Sequence, residues 1–187
     1  RLLPEAAGRP TMMGDRTALD LYPGAWHLVE DSILSIKNVS SSLLARVSVN
    51  DDIEADGVII AQGSRFGGWS FYVEGGYPTY TYNNLGELTT FKSDRPLDMG
   101  DSDIRFEIDY DGGGAGKGAT TTLLINGDKV AGGRLEKTVP ARFSIDEGTD
   151  VGMDRGSPVI QRQLNDRRFS PFNGTINKVT LEIYPES

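Results

Sequence analysis

His27 is the chain's single histidine, and there is no cysteine. One imidazole can act as a general base, but acyl-transfer chemistry also needs a nucleophile and an orienting group. No serine sits in a Gly-x-Ser-x-Gly elbow, so His27 reads as a surface or packed side chain. Without thiols, disulfides, thiolate zinc sites and cysteine nucleophiles are excluded, and a His-rich metal site is impossible. The remaining charged chemistry gathers in residues 144–154. There Asp146, Asp150 and Asp154, with Glu147, offer carboxylate oxygens to a hard cation. A structural calcium is the expectation such an irregular acidic loop raises, although EF-hand spacing is absent. The alternative is a turn whose carboxylates are solvated or paired with Arg142 and Arg155.

A second group is aromatic. Phe66, Trp69, Tyr72, Tyr77, Tyr80 and Tyr82 crowd one stretch, with Asn83 and Asn84 beside them. Rings and amides together suit sugar binding by stacking, and Trp69, Tyr72, Tyr80, Tyr82 and Asn83 are the candidate glycan-binding residues. Alternation along strands would turn half of these rings inward as core. The Gly-rich run Asp111-Gly112-Gly113-Gly114-Ala115-Gly116-Lys117-Gly118 resembles a phosphate loop only superficially. Asp111 stands where the first Walker glycine belongs, Gly118 replaces the Ser or Thr after Lys117, and the Thr120-Thr121-Thr122 that follow favour a strand over a helix. It reads as a flexible connection between strands.

These residues need a scaffold, and its type is legible. The chain has 187 residues, enough to bury a core without staples. Its net charge of −8 disfavours nucleic-acid phosphates as partners. No apolar run approaches the ~18 residues of a membrane span. Residues 1–24 are punctuated by Pro4, Gly8, Pro10, Gly14, Pro23 and Gly24, and are expected to form an irregular linker or arm. Residues 25–187 read as the folded domain.

Period-2 patterns recur through it. Leu43, Ala45, Val47 and Val49 alternate with polar neighbours up to a turn at 50–52, and Ile104, Phe106, Ile108 and Tyr110 do the same. Residues 58–61 form a short apolar run, as in a buried strand. Residues 69–73 and 77–82 make a hairpin around Gly75-Gly76. The clearest hairpin signal is Asn126-Gly127 between 120–125 and 128–135, because Asn-Gly supplies the positive φ of a type I′ turn. Segments 88–91, 142–145 and 175–184 complete the strands. No helical stripe persists for three turns. The expectation is an all-β, two-sheet jelly-roll sandwich. Asn38-Val39-Ser40 and Asn173-Gly174-Thr175 also match the three-residue glycosylation pattern.

Several ordered motifs carry a resemblance. Ala61-Gln62-Gly63-Ser64-Arg65-Phe66-Gly67-Gly68-Trp69-Ser70-Phe71-Tyr72, then Tyr80-Thr81-Tyr82-Asn83, Phe106-Glu107-Ile108-Asp109-Tyr110-Asp111-Gly112-Gly113-Gly114, Gly116-Lys117-Gly118, Gly133-Arg134-Leu135-Glu136-Lys137-Thr138-Val139-Pro140, Asp150-Val151-Gly152 and Gly156-Ser157-Pro158-Val159 resemble the C-terminal region of large bacterial arylsulfatases. Ser64 replaces a glycine of that pattern, and residues 160–170, with Arg162, Arg167 and Arg168, depart from it. The resemblance implies a concanavalin A/laminin G-like domain appended to an upstream sulfatase catalytic domain in the same polypeptide, which it would pack on and support. The chemistry would then lie before Arg1. Sulfatases use a formylglycine made within a C/S-x-P-x-R motif, together with calcium. Here the Ser157-Pro158 and Ser170-Pro171 pairs place proline one residue too early, so no catalytic residue carries over. Two functions follow as expectations: a non-catalytic accessory domain of an arylsulfatase, or a carbohydrate-binding module using the aromatic strands. A standalone glycosidase would need two inward carboxylates, and Glu107 and Asp109 read as solvent-facing.

Overall fold

The computed structural model describes residues 12–50, 53–160 and 170–185. Among these residues eleven strands form two antiparallel sheets. They are β1 (Ala18–Leu21), β2 (Ser40–Val49), β3 (Gly57–Ser64), β4 (Gly67–Glu74), β5 (Tyr77–Asn84), β6 (Glu87–Lys92), β7 (Gly100–Tyr110), β8 (Ala119–Ile125), β9 (Asp128–Leu135), β10 (Thr149–Val151) and β11 (Thr175–Tyr184). One sheet runs β1-β11-β2-β7-β8-β9 and the other β10-β3-β4-β5-β6. Among the described residues the only helical turn is 3₁₀, Glu30–Ser32. The expected all-β jelly-roll sandwich is the architecture found.

Alternation decides what lies between the sheets. Leu43, Ala45 and Val47 of β2 and Ile104, Phe106 and Ile108 of β7 face Trp69, Phe71, Val73, Tyr80 and Tyr82 of β4 and β5. Tyr80 stacks on Phe106 with ring centroids 3.7 Å apart and planes 11° from parallel. The Asn126-Gly127 turn has φ of 51° and 88°, as the sequence requires.

Three expectations change. The arm boundary moves, because Ala18–Leu21 pairs with β11 and belongs to the sandwich. Too few residues alternate there for periodicity to reveal a strand. Segment 142–145 is not a strand; Glu30 and Gly67 hold it as an irregular crossing. The Gly-rich run 111–118 joins β7 to β8 as expected but is braced rather than loose. Tyr110 donates its hydroxyl to Gly114 O at 2.5 Å and receives Lys117 N–H at 2.9 Å, while Arg134 grips Asp111. Asn38 and Asn173 spend their side-chain amides on backbone: Asn38 Nδ2 donates to Pro140 O at 2.9 Å and Asn173 Nδ2 to Glu54 O at 2.8 Å. The turn at 51–52, the irregular segment before Met12 and most of the variable segment 160–170 lie outside the described residues.

Candidate functional site

The five residues expected to bind sugar are all interior. Trp69, Tyr80 and Tyr82 are 0%, 1% and 3% exposed and point between the sheets. Trp69 donates Nε1–H to Gln62 Oε1 at 2.9 Å, and Tyr82 Oη accepts Val139 N–H at 2.9 Å. Burial pushes the Tyr82 hydroxyl well above the usual phenol range, with partial relief from that N–H. Tyr72 and Asn83 lie on the other face of the same sheet, yet they are covered too. Val159 and Ile160 pack on Val58, Ala61 and Tyr72 as a second apolar cluster, and Asn83 Nδ2 donates to Val159 O at 2.8 Å. The structure thus corrects this assignment: these rings have no solvent face on which a sugar could stack.

The acidic loop explains the cover. Asp154 Oδ2 accepts Val159 N–H at 3.0 Å, and Glu147 Oε1 accepts Ser157 N–H at 2.8 Å. Asp146 is exposed and apart from them. Among the described residues no three acidic or histidine side chains are placed to hold a metal ion. Asp146, Asp150 and Asp154 are therefore not gathered, among the described residues, into the calcium site that this acidic loop raised as an expectation. The carboxylates of Asp150 and Asp154 cap backbone N–H groups, a use that burial makes strong.

Asp150 does this at the site's most unusual feature. Segment 25–28 runs along the free edge of β10. Leu28 and Thr149 exchange both backbone bonds, at 3.1 and 2.8 Å, and Val151 N–H reaches Ala25 O at 2.8 Å. Between those pairings Trp26 and His27 stand opposite Asp150 alone, which is the geometry of a β-bulge. His27 takes φ of 51°, uncommon for a non-glycine residue, and its N–H has no ladder acceptor. Asp150 Oδ1 supplies one at 2.6 Å, and Asp150 Oδ2 accepts Arg155 N–H at 2.9 Å. One carboxylate, itself 8% exposed, thereby holds the backbone of both His27 and Arg155.

The result is an indole that remains 59% exposed, with the Arg155 guanidinium carbon 5.2 Å from its ring centroid and the His27 side chain exposed beside it. An apolar ring beside an imidazole and a guanidinium can stack on the C–H face of a sugar while those side chains bond its hydroxyls. Sequence reasoning missed Trp26 and Arg155. The available signal was Trp26's place in Tyr22-Pro23-Gly24-Ala25-Trp26-His27, where nothing alternates and so nothing turns the ring inward.

No protein-family model and no curated protein matches the chain. Solved structures do match. A putative carbohydrate binding protein from Bacteroides ovatus aligns with a TM-score of 0.53 at 16% identity, over 88% of this chain and 43% of that one. The CBM40 domain of the Ruminococcus gnavus IT-sialidase, solved with α2,6-sialyllactose, aligns at 0.52 and 10% identity, over 91% of this chain and 93% of that one. Domains LG4-5 of the mouse laminin α1 chain align at 0.50 and 10%, over 91% and 40%. The chain therefore has the laminin G-like, concanavalin-like sandwich fold that carbohydrate-binding modules also use. It spans less than half the length of the laminin and Bacteroides chains. Nothing in these matches links it to sulfatases.

Proposed function

We propose that this chain is a non-catalytic carbohydrate-binding module. The observation that carries the reading is the exposed Trp26 platform, beside which Asp150 ties the backbone of His27 and of Arg155, whose guanidinium lies over the ring. The fold supports it, since matched structures include a carbohydrate-binding module and a putative carbohydrate binding protein. The aromatic strands are no longer the contact surface; the indole on the β10 edge takes their place. An accessory, non-catalytic role is common to this reading and to the arylsulfatase resemblance, whereas a sulfatase parent rests on sequence motifs alone.

A glycan array, followed by titration of any ligand found, tests the proposal. Trp69 is fully buried, so a ligand-induced change in tryptophan fluorescence reports on Trp26. A stacking contact between rings is worth roughly 0.5–1.5 kcal/mol beyond its area, and loss of the indole forfeits the buried area as well. Trp26→Ala should therefore weaken binding at least tenfold while the folded spectrum stays unchanged. A folded protein that binds no arrayed glycan, or equal affinity in Trp26→Ala, refutes the reading.

A further inference from the structure

Asp146, Glu147, Asp150 and Asp154 all precede Arg155 within a few residues. Coulomb attraction favours pairing an exposed arginine with such a neighbour, as Arg134 pairs with Asp111 and Arg142 with Asp31. Arg155 is exposed, yet among the described residues no acid pairs with its guanidinium. The reason is local. Glu147 Oε1 takes Ser157 N–H at 2.8 Å, and Asp154 Oδ2 takes Val159 N–H at 3.0 Å. Asp150 gives one oxygen to His27 N–H and the other to the backbone N–H of Arg155 itself. The three acids nearest in sequence are thus turned to amides.

The guanidinium is nevertheless held in place. Its carbon lies 5.2 Å from the Trp26 ring centroid, a cation–π distance. Its Nε–H meets Met153 Sδ at 2.6 Å. The two Nη groups, which carry the rest of its N–H donors, have no partner among the described residues. That end of the fork suits the paired oxygens of an anion, whereas a sugar hydroxyl offers one oxygen and no charge.

We infer, resting on the reading that Trp26 binds sugar, that this site selects acidic sugars: the indole stacks on the sugar ring while Arg155 receives its carboxylate or sulfate. The exposed His27 side chain adds no negative charge beside the ring. The chain's net charge of −8 does not oppose this, since at 0.1 M salt exposed charges more than about 10 Å away are largely screened.

Arg155 meets Asp150 through its backbone N–H, so Arg155→Gln removes the charge and keeps the tie that shapes the site. The test is an array on which each carboxylated or sulfated oligosaccharide is printed beside its neutral parent, probed with the native chain and this variant. The native chain should bind the acidic member of a pair at least tenfold more tightly, by an advantage that shrinks as salt is added. In Arg155→Gln the two members should bind alike. Arg155→Lys should recover only part of the difference, because lysine keeps the charge without the fork. Carboxylate and sulfate pairs are scored apart, and a preference within either set sustains the inference. Equal, Trp26-dependent binding of acidic and neutral members overturns it and leaves the carbohydrate reading standing. An acidic preference that survives Arg155→Gln also overturns it, by placing the anion contact elsewhere. So does an equal loss on both members, which would make Arg155 a prop for the indole. A folded chain that binds neither member of any pair overturns both readings.

Discussion

Glu30 carries its carboxylate into the end of the sandwich, where it receives Lys37, faces Arg142 Nε at 3.8 Å and accepts Phe143 N–H at 3.2 Å. Lys37 is itself only 11% exposed, so removing the acid leaves a nearly buried cation without its partner. Glu30→Ala should cost about 3–5 kcal/mol, read as a fall in denaturation midpoint, and Glu30→Gln distinctly less. A loss under about 1 kcal/mol would show that Lys37 swings out to water at no penalty. Tyr80 poses the opposite case. Its hydroxyl is buried with no hydrogen-bond partner among the described residues, while its ring stacks on Phe106. Tyr80→Phe keeps the ring and deletes an unsatisfied group, so stability should stay level or rise. Phe106→Ala removes the stack and leaves a cavity, and should cost about 3–5 kcal/mol.

At the scale of elements, turns and loops hold their shape through a few polar clamps. The β3–β4 hairpin closes so tightly that a Cβ on Gly68, at φ of 154°, would sit 2.2 Å from Gln62 O. The loop between β7 and β8 is held by the Arg134 fork on Asp111, and that bond lowers the Asp111 pKa below the ordinary carboxylate value. A depressed folded-state pKa contributes stability above the unfolded value, about 3.9, and the contribution is lost as pH falls through the folded one. The stability gap between the native chain and Arg134→Gln should therefore be open at neutral pH and close in acid. A gap that stays constant into strong acid would mean that Arg134 acts through packing alone. The pair is exposed, so added salt should also narrow the gap. The bulge at Trp26-His27 depends on Asp150 in the same way. Asp150→Ala should both destabilise the domain, by about 1–3 kcal/mol, and loosen the indole, seen as greater access of a soluble quencher to Trp26.

At the scale of the whole molecule, the five-stranded sheet is the departure from a simple two-layer sandwich. Strands β3 and β4 are buried almost throughout, because one face meets the other sheet and residues 154–160 lie on the second. That cover closes the face holding Tyr72, Thr81 and Asn83 and moves the candidate binding surface to the β10 edge.

The strand set was legible because side-chain period is local. Leu43 to Val49 and Ile104 to Tyr110 state which residues face inward without reference to any partner, and Asn126-Gly127 states its own turn. The same alternation showed that half of the rings at 69–82 would point inward, though not which half or what lies over the rest. That depended on Val159 and Ile160, residues some 80 positions away in sequence, meeting Tyr72 and Asn83. Likewise the acidic spacing of Asp146, Asp150 and Asp154 gave the right residue types for a cation, whereas only the tertiary structure could send Asp150 and Asp154 to backbone amides. The sequence by itself determined an acidic, cysteine-free β-sandwich, because composition, period and turn chemistry act over a few residues. The covered sheet face and the exposed indole of Trp26 were decided by tertiary structure alone, because each arises where distant segments compete for the same surface.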